Sequence, residues 1–278
     1  MSFKRDVQIA MKGTYRSVWI FLIVNVSVFL LTNILIHLVK LGGDKTTAGE
    51  LIADMLCMPS GFTQFLSRFW TLGSYMFMHV DIRHVLFNML WLWFLGRIFC
   101  ELLGSKRMVI VYLFGGAAGG IVYLIISAII GDANSILFGA SGAVMAIVVA
   151  VATHAPDYRV YPFGIPMKLK WLALISFLLT TAIDFSSNTG GKAAHLGGAI
   201  FGMLWAMNNK RGNIFAGMFQ RKSKLRVAHK RVDDLSYNQQ KNTIRKRVDE
   251  ILDKISRSGY DSLSKEEKDF LQKNHDKF

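Results

Sequence analysis

Residues 17–39 read SVWIFLIVNVSVFLLTNILIHLV, a run without a single Asp, Glu, Lys or Arg. A helix that crosses a bilayer needs about 20 consecutive, mainly apolar residues, so this stretch is long enough to cross. It is also too long for the apolar region of a cleaved leader, and no A-x-A-like site follows it, so it reads as a retained anchor. Five more apolar stretches follow at 84–103, 107–130, 141–155, 169–185 and 193–208, the fourth and the sixth being short. The expected architecture is an all-α membrane protein with six transmembrane helices.

Composition fits that class. Of 278 residues 52% are hydrophobic, yet the net charge is +14, so apolar and basic residues must be segregated along the chain. A mean hydropathy of +0.32 is too high for an ordinary soluble enzyme. Lys4, Arg5, Lys12 and Arg16 precede the first span; Lys106 and Arg107 lie between the second and third; Arg159, Lys168 and Lys170 lie between the fourth and fifth. The 3–4 connection, GDANSILFGA, carries no Lys or Arg. By the positive-inside rule both termini are cytosolic, and the protein is a multi-pass component of the cell (plasma or inner) membrane. The long 1–2 connection then lies outside, and its aromatic and Met content suits the membrane interface. The basic charge is a topology signal, so nucleic acid is not an expected partner.

Three segments follow: a cytosolic N-terminal segment at 1–16, a six-helix core at 17–208, and a basic cytosolic tail at 209–278. From 210 onward there are 18 Lys and Arg against 10 Asp and Glu. Val248, Ile251, Leu252 and Ile255 have helical spacing, with Gly259 placed to end that helix. Ser264 and Glu267 have the spacing of a capping box for a second one. The tail reads as a solvated helical appendage; binding of an unidentified cytosolic partner is the other reading.

Polar residues inside spans are costly and need a reason. In the six-span topology His84, Asn88, Ser141 and His195 all fall near the outer ends of their helices. His84 and Asn88, spaced i and i+4, share one helix face. Ser141 opens a helix, where unpaired backbone N–H groups and the helix dipole favour a developing oxyanion. His195 is the natural general base for a serine nucleophile. Gly142, Ala146 and Ala150 form one small-residue stripe, and Gly198, Gly202 and Ala206 form another, so spans four and six can approach closely. Gly115, Gly116, Gly119 and Gly120 add a similar patch in span three. The two cysteines, Cys57 and Cys100, read as packed thiols. Neither a metal site nor a phosphate-cradling loop is evident, and no cofactor is expected.

At these residues the sequence resembles the rhomboid intramembrane serine proteases. The matching stretches are HVDIRHVLFNMLWLWFLG at 79–96, Glu101 with Gly104, GASG at 139–142 and AHLGGAIFG at 194–202. The resemblance covers the core from about 65 to 208 and implies a six-helix rhomboid bundle. It implies Ser141 as nucleophile and His195 as base, without a third acid. It also implies an oxyanion site from His84, Asn88 and the Ser141 N–H. Gly139, Gly142, Gly198 and Gly202 match the family's glycine positions. His79, Arg97 and Glu101 match positions expected to be structural and to shape the 1–2 connection. A water-filled cavity open to the outside would admit transmembrane protein substrates sideways past the fifth span. The sequence departs from the family at Met145, where an aromatic residue often stacks on the catalytic histidine; a thioether supplies neither ring nor hydroxyl.

The expected function is therefore a serine endopeptidase that cuts single-span membrane proteins near the outer face. The alternative is a non-catalytic rhomboid-like protein that binds membrane clients; it has no need of both Ser141 and His195. A transporter or channel fits less well, because the central sections of the spans carry almost no ionisable groups.

Overall fold

Where the chain reverses, short polar and glycine signals set the helix ends. Asp81 caps the helix Ile82–Leu103 by accepting from the N–H groups of Arg83 and His84. Gly104, at φ 90°, ends that helix and at once opens Ser105–Ile130. Gly131, in the left-handed region at φ 73°, closes the latter. These are features of a computed structural model that describes residues 13–41, 47–182, 189–210 and 231–274.

The helices are α1 (Arg16–Leu41), α2 (Thr47–Leu56), α3 (Phe62–Ser67), α4 (Thr71–Ser74), α5 (Ile82–Leu103), α6 (Ser105–Ile130), α7 (Ser141–His154), α8 (Leu169–Phe177), α9 (Thr189–Lys210), α10 (Arg231–Ser258) and α11 (Lys265–Asn274). A π turn, Leu178–Ala182, continues α8. Two-residue strands pair antiparallel twice: β1 (Met58–Pro59) with β2 (Ile136–Leu137), and β3 (Arg159–Val160) with β4 (Met167–Lys168). The chain divides into two units, Met1–Met218 and Phe219–Phe278.

In the first unit, α1 over Arg16–Val39, α5 and α6 are long and apolar enough to cross a membrane. The apolar helices Ser141–His154 and Leu169–Thr181 are shorter. At about 1.5 Å per residue, the 14 residues of α7 span only about 21 Å. That helix is nevertheless the centre of the bundle: α5, α6, α8 and α9 all pack on it, and nearly every residue from Gly142 to Ala152 is buried. The outer helices do the opposite. Leu31, Ile34 and Leu38 of α1 and Phe114, Ile125 and Ile129 of α6 are exposed, as an apolar solvent requires. The sixth helix is longer than its apolar stretch suggested. It begins at Thr189, so His195 lies nearly two turns from its start.

The small-residue stripes form the seams. A β-carbon at Gly198 would overlap the carbonyl oxygen of Gly142, and one at Gly202 would overlap that of Ala146, so α9 lies backbone to backbone on α7. On its other side, a β-carbon at Gly197 would come within 2.6 Å of the Ala118 carbonyl oxygen on α6. Helix α9 is thus held between two glycine-lined grooves.

Among the described residues, the second unit is a helix pair. Gly259, at φ 77°, ends α10 at Ser258. Glu267 accepts from the Ser264 N–H at 2.8 Å while Ser264 Oγ accepts from the Glu267 N–H at 3.2 Å, a reciprocal capping box. Lys254 of α10 bonds Glu267 of α11, and Ile251 and Leu263 are buried between them.

Candidate active site

The turn that delivers Ser141 is hung from the segment just before α5. The Gly139 N–H donates to the Tyr75 carbonyl at 3.0 Å, and the Ala140 N–H donates to His79 Nε2 at 3.3 Å. Tyr75 is itself anchored, its hydroxyl donating to the Gly116 carbonyl at 2.6 Å. His79 is fully buried, and its Nδ1 donates to the Phe77 carbonyl at 3.3 Å, which leaves Nε2 as an acceptor. Burial, reinforced by the neighbouring His84, pushes His79 down to about 4, so the ring is neutral and keeps that acceptor. Gly139 must be glycine on two counts. Its φ is 115°, and a β-carbon there would lie 2.6 Å from His84 Cε1.

His84 stands on the first turn of α5, its ring edge-on to those of His79 (5.2 Å) and Phe138 (6.2 Å). One turn on, the Asn88 amide nitrogen donates to the His84 carbonyl at 3.0 Å and lies 3.4 Å from His79 Nε2. The second contact is long and competes with the Ala140 N–H, so it is the one that can be exchanged for another acceptor.

Ser141 and His195 are brought close by the seam between α7 and α9. A β-carbon at Gly142 would lie 3.1 Å from the Ala194 carbonyl oxygen, so the neighbours of both residues touch. Ser141, His195, His84 and Asn88 line one cavity of about 460 Å³, together with Phe87, Trp91, Phe138, Met145 and Thr180. His195 Nδ1 donates to the main-chain carbonyl of Thr180 at 3.1 Å. In the neutral ring, Nε2 then carries the lone pair. A serine at a helix N-terminus, beside an imidazole with a basic nitrogen, can support nucleophilic attack on a carbonyl. Met145 is buried in the wall that His195 shares.

The other expected residues fall elsewhere. Arg97 and Glu101 were expected to shape the 1–2 connection, but they lie on α5 far from it. Arg97 covers the Tyr15 ring at 4.8 Å and the Trp93 ring at 5.2 Å, and Glu101 accepts from the Tyr15 hydroxyl. The reason is helix length: 13 residues separate Arg97 from His84, about 20 Å of rise. Among the described residues, His79 is the one of the three with a contact inside the connection, to the Phe77 carbonyl. The Thr180 carbonyl was not foreseen, because a main-chain acceptor leaves no mark in residue type.

Comparison with known proteins identifies the family. The Rhomboid domain family matches residues 66–209, more than half of the chain. Over 168 residues the chain is 24% identical to the rhomboid protease GlpG of Yersinia pseudotuberculosis, covering 60% of this chain and 57% of that protein. Over 134 residues it is 30% identical to the presenilin-associated rhomboid-like protein A, mitochondrial, of Danio rerio, covering 46% of this chain and 34% of that protein. The chain thus matches little more than half the length of the first relative and about a third of the second. Residues 231–276 match a family of unknown function, DUF6576. With a family match over most of its helical core, this chain is a membrane protein that belongs to the rhomboid family.

Proposed function

We propose that this protein is an intramembrane serine endopeptidase that cuts single-span membrane proteins near the outer face of the cell membrane. In this reading α1, α5, α6, α7, α8 and α9 are six spans and both termini are cytosolic. The observation that carries it is the single cavity lined by Ser141, His195, His84 and Asn88, four residues from three helices.

The chemistry follows from those groups. Ser141 Oγ attacks the scissile carbonyl while His195 Nε2 takes its proton, then passes it to the leaving amine. A water deprotonated by His195 releases the acyl group from Ser141. The tetrahedral oxyanion is met by the Ser141 N–H at the helix N-terminus, by the His84 ring, and by the Asn88 amide once it turns from His79. Substrates enter between α5 and α8, past Phe87 and Leu179. Small, helix-breaking residues at the cut site suit this route, since a helical carbonyl is already hydrogen-bonded and must unwind before attack.

The test is reconstitution in liposomes with a single-span reporter bearing small residues near one membrane face, with the cut mapped by mass spectrometry. Cleavage within the small-residue segment is expected. An intact, correctly folded protein that leaves the reporter whole would contradict hydrolysis and favour the binding of membrane clients without turnover.

A further inference from the structure

Histidine bases are usually oriented by a carboxylate on the far ring nitrogen. Among the described residues no Asp or Glu lines the cavity, and what meets His195 Nδ1 is the Thr180 main-chain carbonyl at 3.1 Å. Thr180 sits in the middle of the π turn that continues α8. A π turn interrupts the regular i→i−4 ladder; it occurs mostly as a single-turn insertion, frequently at functional sites. The turn is also locally supported. Thr180 Oγ1 donates back to the Ser176 carbonyl at 2.8 Å, and Ser176 Oγ donates to the Leu172 carbonyl at 2.7 Å. The threonine side chain is thereby directed along its own helix, and the carbonyl is the group offered to His195.

Resting on the protease reading, we propose that the Thr180 carbonyl is the positioning group for His195, holding the proton on Nδ1 and the lone pair on Nε2 toward Ser141. A carbonyl can only accept, so this contact selects one tautomer as a carboxylate would, without adding a buried charge. The setting of the base is therefore tied to the seating of α8 against α9. Displacement of α8, the helix bordering the substrate route, breaks this contact at Nδ1 and removes its preference for that tautomer.

The experiment is nitrogen NMR of the full chain, labelled with ¹⁵N-histidine and carrying Ser141→Ala, with His195 assigned by its loss in His195→Gln. At pH above the imidazole range, the Nδ1–H tautomer should dominate for His195. A dominant Nε2–H tautomer, or an even mixture, would overturn the proposal. Thr180→Ala keeps the carbonyl and should keep the tautomer; its loss in that variant would assign the role to the side chain and overturn the carbonyl. Deleting Leu178, which removes one residue from the π turn, should shift the tautomer. In the Ser141 protein it should lower kcat/KM by about 10- to 100-fold, chiefly through kcat. Because the tautomer is read without turnover, a protein that shows the Nδ1–H form yet cleaves nothing would count against the protease reading and not against the positioning of His195.

Discussion

Helix α9 and helix α8 both border the candidate active site, but they are held in opposite ways. Helix α9 lies on α7 with glycine against main chain, so that a single added carbon at Gly198 or Gly202 has nowhere to go. Helix α8 borders two cavities. One is the site, about 460 Å³, and the other, about 410 Å³, is lined by Ala173, Leu174 and Phe177 with Ala199 and Met203 of α9. In the proposed mechanism the nucleophile and the base stand on the rigid seam, while the carbonyl proposed to orient the base stands on the looser helix. The proposed protease activity would need both: fixed reacting groups and one wall that yields to an entering helix.

The largest effect expected is chemical. Ser141→Ala should abolish cleavage while insertion and the thermal midpoint stay near wild type; retained cleavage would remove the serine mechanism altogether. Next comes the contrast in packing. Gly202→Ala on the seam should cost about 1–3 kcal/mol in a detergent unfolding measurement. Ala173→Val, facing the second cavity, should be neutral or stabilise by about 0.5 kcal/mol or more. Equal costs at the two positions would erase the distinction between seam and wall.

A smaller effect concerns pH. His79 is held near 4 in the folded protein against about 6.5 in an unfolded chain, so folding favours its neutral form. Its contribution is complete above about 6.5 and is lost as pH falls toward about 4. Acidification across that window should lower the thermal midpoint of wild type more than that of His79→Gln. Parallel slopes would show that His79 does not carry the acid sensitivity. The smallest expected change is at Met145. Met145→Tyr, restoring an aromatic neighbour to His195, should keep or modestly raise kcat/KM; a complete loss would mean that the thioether has a use of its own.

Much of this arrangement could be read from residue types. Apolar runs located the helices of the core, because burial or lipid contact demands long uninterrupted stretches. The Gly-and-Ala spacing located the α7–α9 seam, because close approach tolerates nothing larger. Gly259 and the Ser264–Glu267 pair located the ends of α10 and α11 through their specific backbone demands. What stayed hidden was made by main-chain atoms or by distance along a helix. The Thr180 carbonyl and the Ala140 N–H on His79 carry no residue signature. Arg97 and Glu101 looked like partners of the 1–2 connection until the length of α5 set them against Tyr15. Residues 183–185 of the expected fifth span, residues 1–12 of the expected N-terminal segment and residues 211–230 of the tail lie outside the described residues.

The central claim is an activated serine, and fluorophosphonate labelling of the detergent-solubilised full chain tests it most directly. Wild type should be labelled at Ser141, and labelling should be lost in both Ser141→Ala and His195→Ala. A folded wild-type protein that takes up no label, or one whose labelling survives His195→Ala unchanged, would contradict the account.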